Sequence, residues 1–466
     1  MEQLLRDIAA VIGPAHLLTD PADTAPLALD YRRRYQGRPL AAALPGSTAE
    51  TAAIVSLCRQ YGVAIVPQGG NTSTCGGATP DASGRQLLLN LRRLRAVRNI
   101  DTDNNSLTVE AGLTLAEVQR LAEEAGRLFP LSLASEGSCQ IGGNLSTNAG
   151  GLAVLRYGTM RELALGLEVV LPDGQVLHAL SGLRKDTSGL DVKQLFIGAE
   201  GQLGLITAAT LRLFPQPTAR ATALTGLSDS RAAIRLLSGL RQAFGDRLTT
   251  FEIMSSACQS LLERHHPGQL PFQAPWMALI ELSDNGGHAA LEDALVSWLA
   301  EQPLQDAVLA RSETERAQLW RLREAMSETQ KLDGPSIKHD IGVPSSAIAD
   351  FLEDCDAALQ AAFPGIRIIA FGHAGDGNLH YNISFTRPGN AHLFDDEPAV
   401  NAIVYDTVYR YQGTLAAEHG VGQLKTGWLE RYKDPASLQL MRGIKQLLDP
   451  DNLMNPGKWL SPGPHG

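Results

Sequence analysis

With 466 residues and 44% hydrophobic content, the chain is too long for one ordinary domain and apolar enough to build two or three cores. A formal net charge of -10 argues against nucleic acid or an anionic membrane surface as a partner. No apolar run reaches the roughly 18 residues that a membrane-spanning helix needs, so no transmembrane segment is expected. Cys58, Cys75, Cys139, Cys258 and Cys355 are odd in number, widely spaced and without a C-x-x-C pair, the usage of a reducing compartment. Glu2, Arg6 and Asp7 fall where a secretion signal would be apolar. A cytoplasmic location is therefore expected.

Residues Met1 to Gly13 pattern as an amphipathic helix, and Ala41 to Leu44 as a short strand. Ser47-Thr48-Ala49-Glu50 is a capping box predicted to open a helix to Tyr61. Val63 to Pro67 reads as the next strand, running into Gln68-Gly69-Gly70-Asn71-Thr72-Ser73-Thr74-Cys75-Gly76-Gly77. Such a loop presents backbone N–H groups at close range, which suits phosphate. It is neither a P-loop nor a dinucleotide-binding fingerprint. A flexible surface loop is the plainer alternative, disfavoured because Pro67 and its strand fix the entry. Leu87 to Leu91 and Leu107 to Glu110 read as strands, and Thr114-Leu115-Ala116-Glu117 opens a second capped helix ending near Gly126. The stretch Ser135 to Gly151 interleaves glycine with asparagine, serine and threonine, too irregular for a core helix or core strand. Two such loops, each after an α/β unit, suit one long ligand with a pyrophosphate between its halves.

Leu167 to Leu171 and Gln175 to Ala179 form a predicted hairpin around Pro172-Asp173-Gly174. Ile197 to Ile206 reads as a glycine-rich turn leading into the strand Ala208 to Leu213, and Phe214-Pro215-Gln216-Pro217 marks a domain junction. Trp320 to Ser327 is predicted helical, with Arg323 and Ser327 on one face. Ser336 to Val343 alternates as a strand with Lys338 and Asp340 on one side; a lysine there is more often solvated than functional.

The most polar stretch is Gly372 to Asn382. Strands predicted at Ile368 to Phe371 and Tyr381 to Phe385 flank turn chemistry at Gly375-Asp376-Gly377-Asn378. A hairpin there brings His373 and His380 toward one another, and Glu418-His419 follows downstream. Two imidazoles and one carboxylate suit a catalytic zinc or a non-haem iron. Paired histidines near a turn are often plain surface or core residues, but glycine-rich loops this dense in polar groups are usually sites. On these residues alone, a zinc hydrolase or a noncatalytic metal-binding protein stays open.

Pro67 to Gly77, Glu136 to Gly151, Gly198 to Ile206, His373 to Asn382, Glu418 to Gly422 and Asn455 to Lys458 together resemble the vanillyl-alcohol-oxidase-type FAD flavoproteins, and more narrowly the D-2-hydroxy-acid dehydrogenases. The resemblance spans about residues 35 to 460. It implies an α+β fold: a PCMH-type FAD-binding domain of two α/β subdomains over 1–216, a cap domain with an antiparallel sheet over 217–429, and a segment returning to the FAD domain over 430–466. FAD contacts are implied in the first loop at Pro67, Gln68, Gly69, Gly70, Asn71, Thr72, Ser73 and Gly76. In the second they fall at Ser135, Gly137, Ser138, Ile141, Gly142, Gly143, Asn144, Thr147, Asn148 and Gly150. Tyr157, Glu200, Gly201, Leu205, Ile206 and Asn455 complete the set. Covalent members of the superfamily carry a histidine in the first loop, where this chain has Thr72. Others use a cysteine near the place of Cys139. The match is to noncovalent enzymes, so noncovalent FAD is expected.

By the same resemblance His373, His380 and Glu418 match the ligands of a divalent metal, zinc foremost, and His419 the base that removes the substrate's hydroxyl proton. Arg323, Ser327 and Lys338 match positions that hold a distal carboxylate, and Asn382 a substrate hydrogen bond. Related enzymes carry threonine where Ser327 stands. The implied substrate is a dicarboxylic D-2-hydroxy acid, D-2-hydroxyglutarate or D-malate, with D-lactate or glycolate as the sibling alternative. An electron-transfer flavoprotein as electron acceptor and a homodimer are family-level expectations.

Overall fold

Strands without polar alternation need cover on both faces, and the first sheet is built from such strands. Ala41–Ala43, Leu87–Asn90 and Ile65–Gln68 pair in parallel in that order, with Leu17–Leu18 antiparallel at the edge. Ala41–Ala43 and Leu87–Asn90 are buried throughout. The helix Thr48–Tyr61 packs on this sheet; Ser47 Oγ accepts from the Glu50 N–H at 3.1 Å, and Gly62 ends it at φ 63°. The strand before the first glycine loop begins at Ile65, two residues later than the apolar run suggests.

The computed structural model describes residues 1–387 and 392–460, which divide into two units. The first comprises Met1–Gly151, Gly158–Gln216 and the chain from Glu418 onward; the second comprises Leu152–Tyr157 and Pro217–Ala417. The return to the first unit therefore comes at Glu418 rather than at residue 430. No described helix is long and apolar enough to cross a membrane.

The first unit holds a further, fully antiparallel sheet, ordered Val97–Asp101, Ser106–Glu110, Leu205–Arg212, Ala164–Val170 and Val176–Ala179. Leu205 and Ile206 belong to its central strand, where the sequence reads as turn. The tail is tied to the parallel sheet. Ile65 N–H donates to the Leu453 carbonyl at 2.7 Å, and Asn455 N–H donates back to the Ile65 carbonyl at 2.8 Å. Beneath it, Lys445 Nζ donates to the carbonyls of Gln202 and Met454 and pairs with Asp449 at 2.6 Å, all buried. Asp449 also accepts the N–H groups of Leu453 and Met454.

The second unit is a seven-stranded antiparallel sheet, ordered Asp306–Leu309, Ala219–Leu227, Trp276–Asp284, Leu248–Ser255, Arg367–Gly372, Asn378–Phe385 and Ile337–Gly342. The helix Glu313–Asp333 lays Leu319, Trp320, Leu322 and Met326 into one core with Met254, Met277, Leu279 and Phe371 of the sheet. Register decides what shares a row. Met254 opposes Phe371, Phe371 opposes His380, and His380 opposes Asp340, while Ile369, Asn382 and Lys338 form the next row on the same face.

Asp449→Ala leaves the buried Lys445 ammonium without its counter-charge and removes two acceptors of the tail. The urea midpoint should fall by the equivalent of about 3 kcal/mol. An unchanged midpoint would contradict the tail's role in holding the first unit.

Candidate active site

In the first unit, the loop leaving the carboxyl end of Ile65–Gln68 meets the second glycine stretch backbone to backbone. A side chain at Gly70 would put its Cβ 1.9 Å from the Ser138 carbonyl oxygen, and one at Gly69 would stand 3.3 Å from Gln140 Oε1. The second stretch is not wholly irregular: Ile141–Ser146 is a short helix, with Ile141, Gly142, Asn144 and Leu145 buried. Glycine is what permits it, since a Cβ at Gly142 would lie 2.8 Å from the Ala111 methyl. Ser135, Gly137 and Ser138 precede this helix, and Thr147, Asn148 and Gly150 follow it.

The other assigned stretches of this unit converge on the same loops. Asn455 Nδ2 donates to the carbonyls of Gly77 at 3.0 Å and Glu200 at 2.7 Å. The Glu200 carboxylate accepts the N–H groups of Val421 and Gly422, both at 2.7 Å, and a Cβ on Gly201 would overlap the Pro67 ring. Gln423 N–H donates to the Cys75 carbonyl at 3.0 Å, which lays the segment after Glu418-His419 along the first loop. Asn71, Asn148, Glu200 and Asn455 all take positive φ, between 47° and 54°. Non-glycine residues held in that region mark places where the surrounding structure over-determines the backbone.

Three buried polar atoms here have no hydrogen-bond partner among the described residues: Gln140 Oε1, facing Gly69, Asn144 Nδ2 and Asn455 Oδ1. Orphaned buried polar atoms beside a glycine cradle fit a polar ligand such as FAD. Lys425 and Lys458 are buried nearby in the electrostatic reach of Glu200; burial pulls the Lys458 ammonium down to about 8, although Asp81 and Glu200 act the other way. Tyr157 falls in the short segment grouped with the second unit, where the Arg156 guanidinium stands 5.1 Å from its ring. The five cysteines are all buried and unpaired; burial raises the Cys139 thiol above its ordinary value.

In the second unit, His373 lies one residue beyond Arg367–Gly372, and His380 inside Asn378–Phe385, a strand that begins three residues earlier than its alternation suggests. Their ring centroids are 5.7 Å apart. The buried Glu252 carboxylate holds His373 Nδ1 through one oxygen and Arg323 Nε at 2.5 Å through the other. Burial would raise that carboxyl, but the charges of Arg323 and His373 outweigh it and hold it at about 2. Arg323 is 6% exposed, whereas Ser327, one turn on, faces outward: the buried stripe of the helix runs through Leu322, Arg323, Met326, Thr329 and Gln330 and leaves Ser327 off it. Asn382 is buried with both ends engaged; Oδ1 accepts the His339 N–H at 3.2 Å and Nδ2 donates to Gln330 Oε1 at 2.8 Å. Lys338 is half-buried across from Asn382, and Asn378 Nδ2 donates to Asp340 at 2.9 Å.

The family described as "FAD linked oxidases, C-terminal domain" matches residues 216–459, and the "FAD binding domain" matches 39–180. The chain belongs to the FAD-linked oxidases. As a member it is an FAD-binding oxidoreductase with a PCMH-type α+β fold. Bovine mitochondrial D-2-hydroxyglutarate dehydrogenase is 38% identical over 464 residues, covering 97% of this chain and 83% of the relative. D-2-hydroxyglutarate dehydrogenase of Xanthomonas citri pv. viticola is also 38% identical, over 95% of this chain and 93% of that one. A putative mitochondrial D-lactate dehydrogenase of Schizosaccharomyces pombe is 34% identical over 95% and 86%. Among solved structures, p-cresol methylhydroxylase superposes with a TM-score of 0.78 over 99% of this chain and 97% of its own, at 14% identity, a likeness of fold.

For an FAD-linked oxidase, the residue that sequence reasoning missed is Glu252. It sits in Leu248–Ser255, an apolar strand whose one carboxylate demands a partner, and that was the available signal. Its partners come from far along the chain, His373 through strand pairing and Arg323 from the helix Glu313–Asp333. Gln140, between Ser138 and Ile141 of the second glycine stretch, is a further residue whose orphaned Oε1 only the structure reveals. Gly70→Ala should leave a folded protein that binds FAD about tenfold more weakly or worse, read from flavin absorbance per chain after gel filtration. Full flavin occupancy would contradict the cradle.

Proposed function

We propose that this FAD-linked oxidase oxidises a dicarboxylic D-2-hydroxy acid, D-2-hydroxyglutarate foremost and D-malate with it, to the 2-oxo acid. The observation that carries the reading is the arrangement on one face of the second unit's sheet, where the His373 and His380 rings lie together and Glu252 joins His373 to the buried cation Arg323. The names of the relatives at 38% identity support the same substrate class.

His373 and His380 offer two imidazoles. Glu418 lies four residues after Thr414, which pairs with Gly342 at the end of the outermost strand of that sheet. We assign these three side chains to a divalent metal, zinc being the ion that such a set suits. Bound FAD would supply a hydride acceptor for the substrate's C2, and a divalent ion held by His373, His380 and Glu418 would supply Lewis acidity to the hydroxy-acid end. His419 removes the hydroxyl proton, an imidazole being matched to that task near neutral pH. Arg323 directs its guanidinium at the substrate's distal carboxylate. Its Nε is committed to Glu252, and its Nη atoms make no hydrogen bond to a described residue. Lys338 adds a second positive charge. An electron-transfer flavoprotein is the acceptor we propose for the second half-reaction.

A monocarboxylic substrate such as D-lactate is the second reading, favoured by the outward position of Ser327 and by the anion that Arg323 already has in Glu252. Arg323→Lys separates the two, because lysine keeps a charge beside Glu252 and loses the planar fork. Turnover of D-2-hydroxyglutarate should fall at least about tenfold in kcat/KM, with D-lactate turnover changed less than about threefold. Parallel losses on both substrates would contradict the assignment of Arg323.

A further inference from the structure

Glu252 sits at the centre of a closed arrangement within the second unit. Its Oε2 takes Arg323 Nε at 2.5 Å and its Oε1 takes His373 Nδ1. Arg323 lies over the Phe371 ring with its guanidinium carbon 5.0 Å from the centroid, and Phe371 lies against His380 at 4.9 Å. His380 closes the circuit to His373 at 5.7 Å. Glu252 itself is fully buried on the Leu248–Ser255 strand, where the pairing Ile253 to Gly372 sets it beside His373.

We infer that Glu252 is a positioning residue that orients His373 for metal and Arg323 for the distal carboxylate through a single side chain. This rests on the metal reading proposed above. An imidazole whose Nδ1 is held by a carboxylate can ligate only through Nε2, in a fixed ring plane and as a more basic donor. The other oxygen holds Nε of the guanidinium, which restricts the fork's rotation while its Nη groups make no hydrogen bond to Glu252. Arginine then needs no search to find a carboxylate, and the metal needs no reorientation of His373.

A stability role alone does not account for this choice. A buried ion pair contributes little beyond what a well-packed apolar pair would. Here one carboxylate is divided between an arginine and a histidine, and each oxygen serves one of them.

The test uses the FAD-loaded full-length protein, stripped of metal by chelator and titrated with zinc, then with cobalt(II) as a spectroscopic probe. Wild type should take up one ion per chain. Glu252→Gln should keep its FAD and bind zinc roughly ten- to a hundredfold more weakly, the usual effect of removing a ligand's orienting partner. Its cobalt(II) absorption should also shift. Glu252→Asp, which keeps the charge and shortens the reach, serves if the glutamine variant fails to fold; it should show the same weakened zinc binding and altered cobalt(II) spectrum. Equal zinc affinity and an unchanged spectrum in the folded variant would overturn the inference, even if its denaturation midpoint dropped. No zinc uptake by wild type would instead overturn the metal reading on which it rests.

Discussion

The closeness of the two glycine loops in the first unit is the constraint on which the cofactor site depends. Ser138's carbonyl stands where any side chain at Gly70 would have to go, so the loops touch through bare backbone. Around that contact the chain holds Asn71, Asn148, Glu200 and Asn455 in a left-handed conformation that costs of order 1 kcal/mol or more per residue. Hydrogen bonds offset the cost where it is visible: Asn455 binds the carbonyls of Gly77 and Glu200, and Glu200 binds the N–H groups of Val421 and Gly422. A ligand that meets Gln140 Oε1 and Asn455 Oδ1 would satisfy two further buried acceptors, each worth about 1–3 kcal/mol if left bare.

The second unit is governed by a buried charge. A lone carboxylate at the position of Glu252 would cost several kcal/mol, far more than one hydrogen bond returns. Strand register supplies the compensation by placing His373 beside it and the helix Glu313–Asp333 supplies Arg323. Those two partners are functional candidates in their own right. Satisfying the buried carboxylate and arranging the candidate site are thus one structural event, which ties a sheet position with no chemistry of its own to the residues that carry the chemistry.

Much of this was legible in the sequence because its signals are local. Ser47 and Thr114 announced their helices through capping, Pro172-Asp173-Gly174 its hairpin, and the glycine loops their need for close approach. What stayed hidden depends on long-range pairing. The outward turn of Ser327 is set by which stripe of its helix meets the sheet, and an i, i+4 spacing from a buried Arg323 could not decide that. The internal partners of Asn382, Gln330 and the His339 N–H, come from a helix and a neighbouring strand more than 40 residues away. Leu205 and Ile206 read as turn from their glycine neighbours, yet they enter a strand because Val169 and Val170 pair with them. The helix at Ile141–Ser146 escaped for a related reason: Gly142, which disfavours a helix in isolation, is required by the methyl of Ala111 against it.

The most direct test of the account is the reductive half-reaction. The purified flavoprotein, kept free of oxygen, is mixed separately with D-2-hydroxyglutarate, D-malate and D-lactate, and the oxidised flavin band is followed in time. Rapid bleaching by the two dicarboxylates and slow or no bleaching by D-lactate are expected. Bleaching by D-lactate alone would contradict the role given to Arg323. An unbleached flavin with all three would contradict the substrate class.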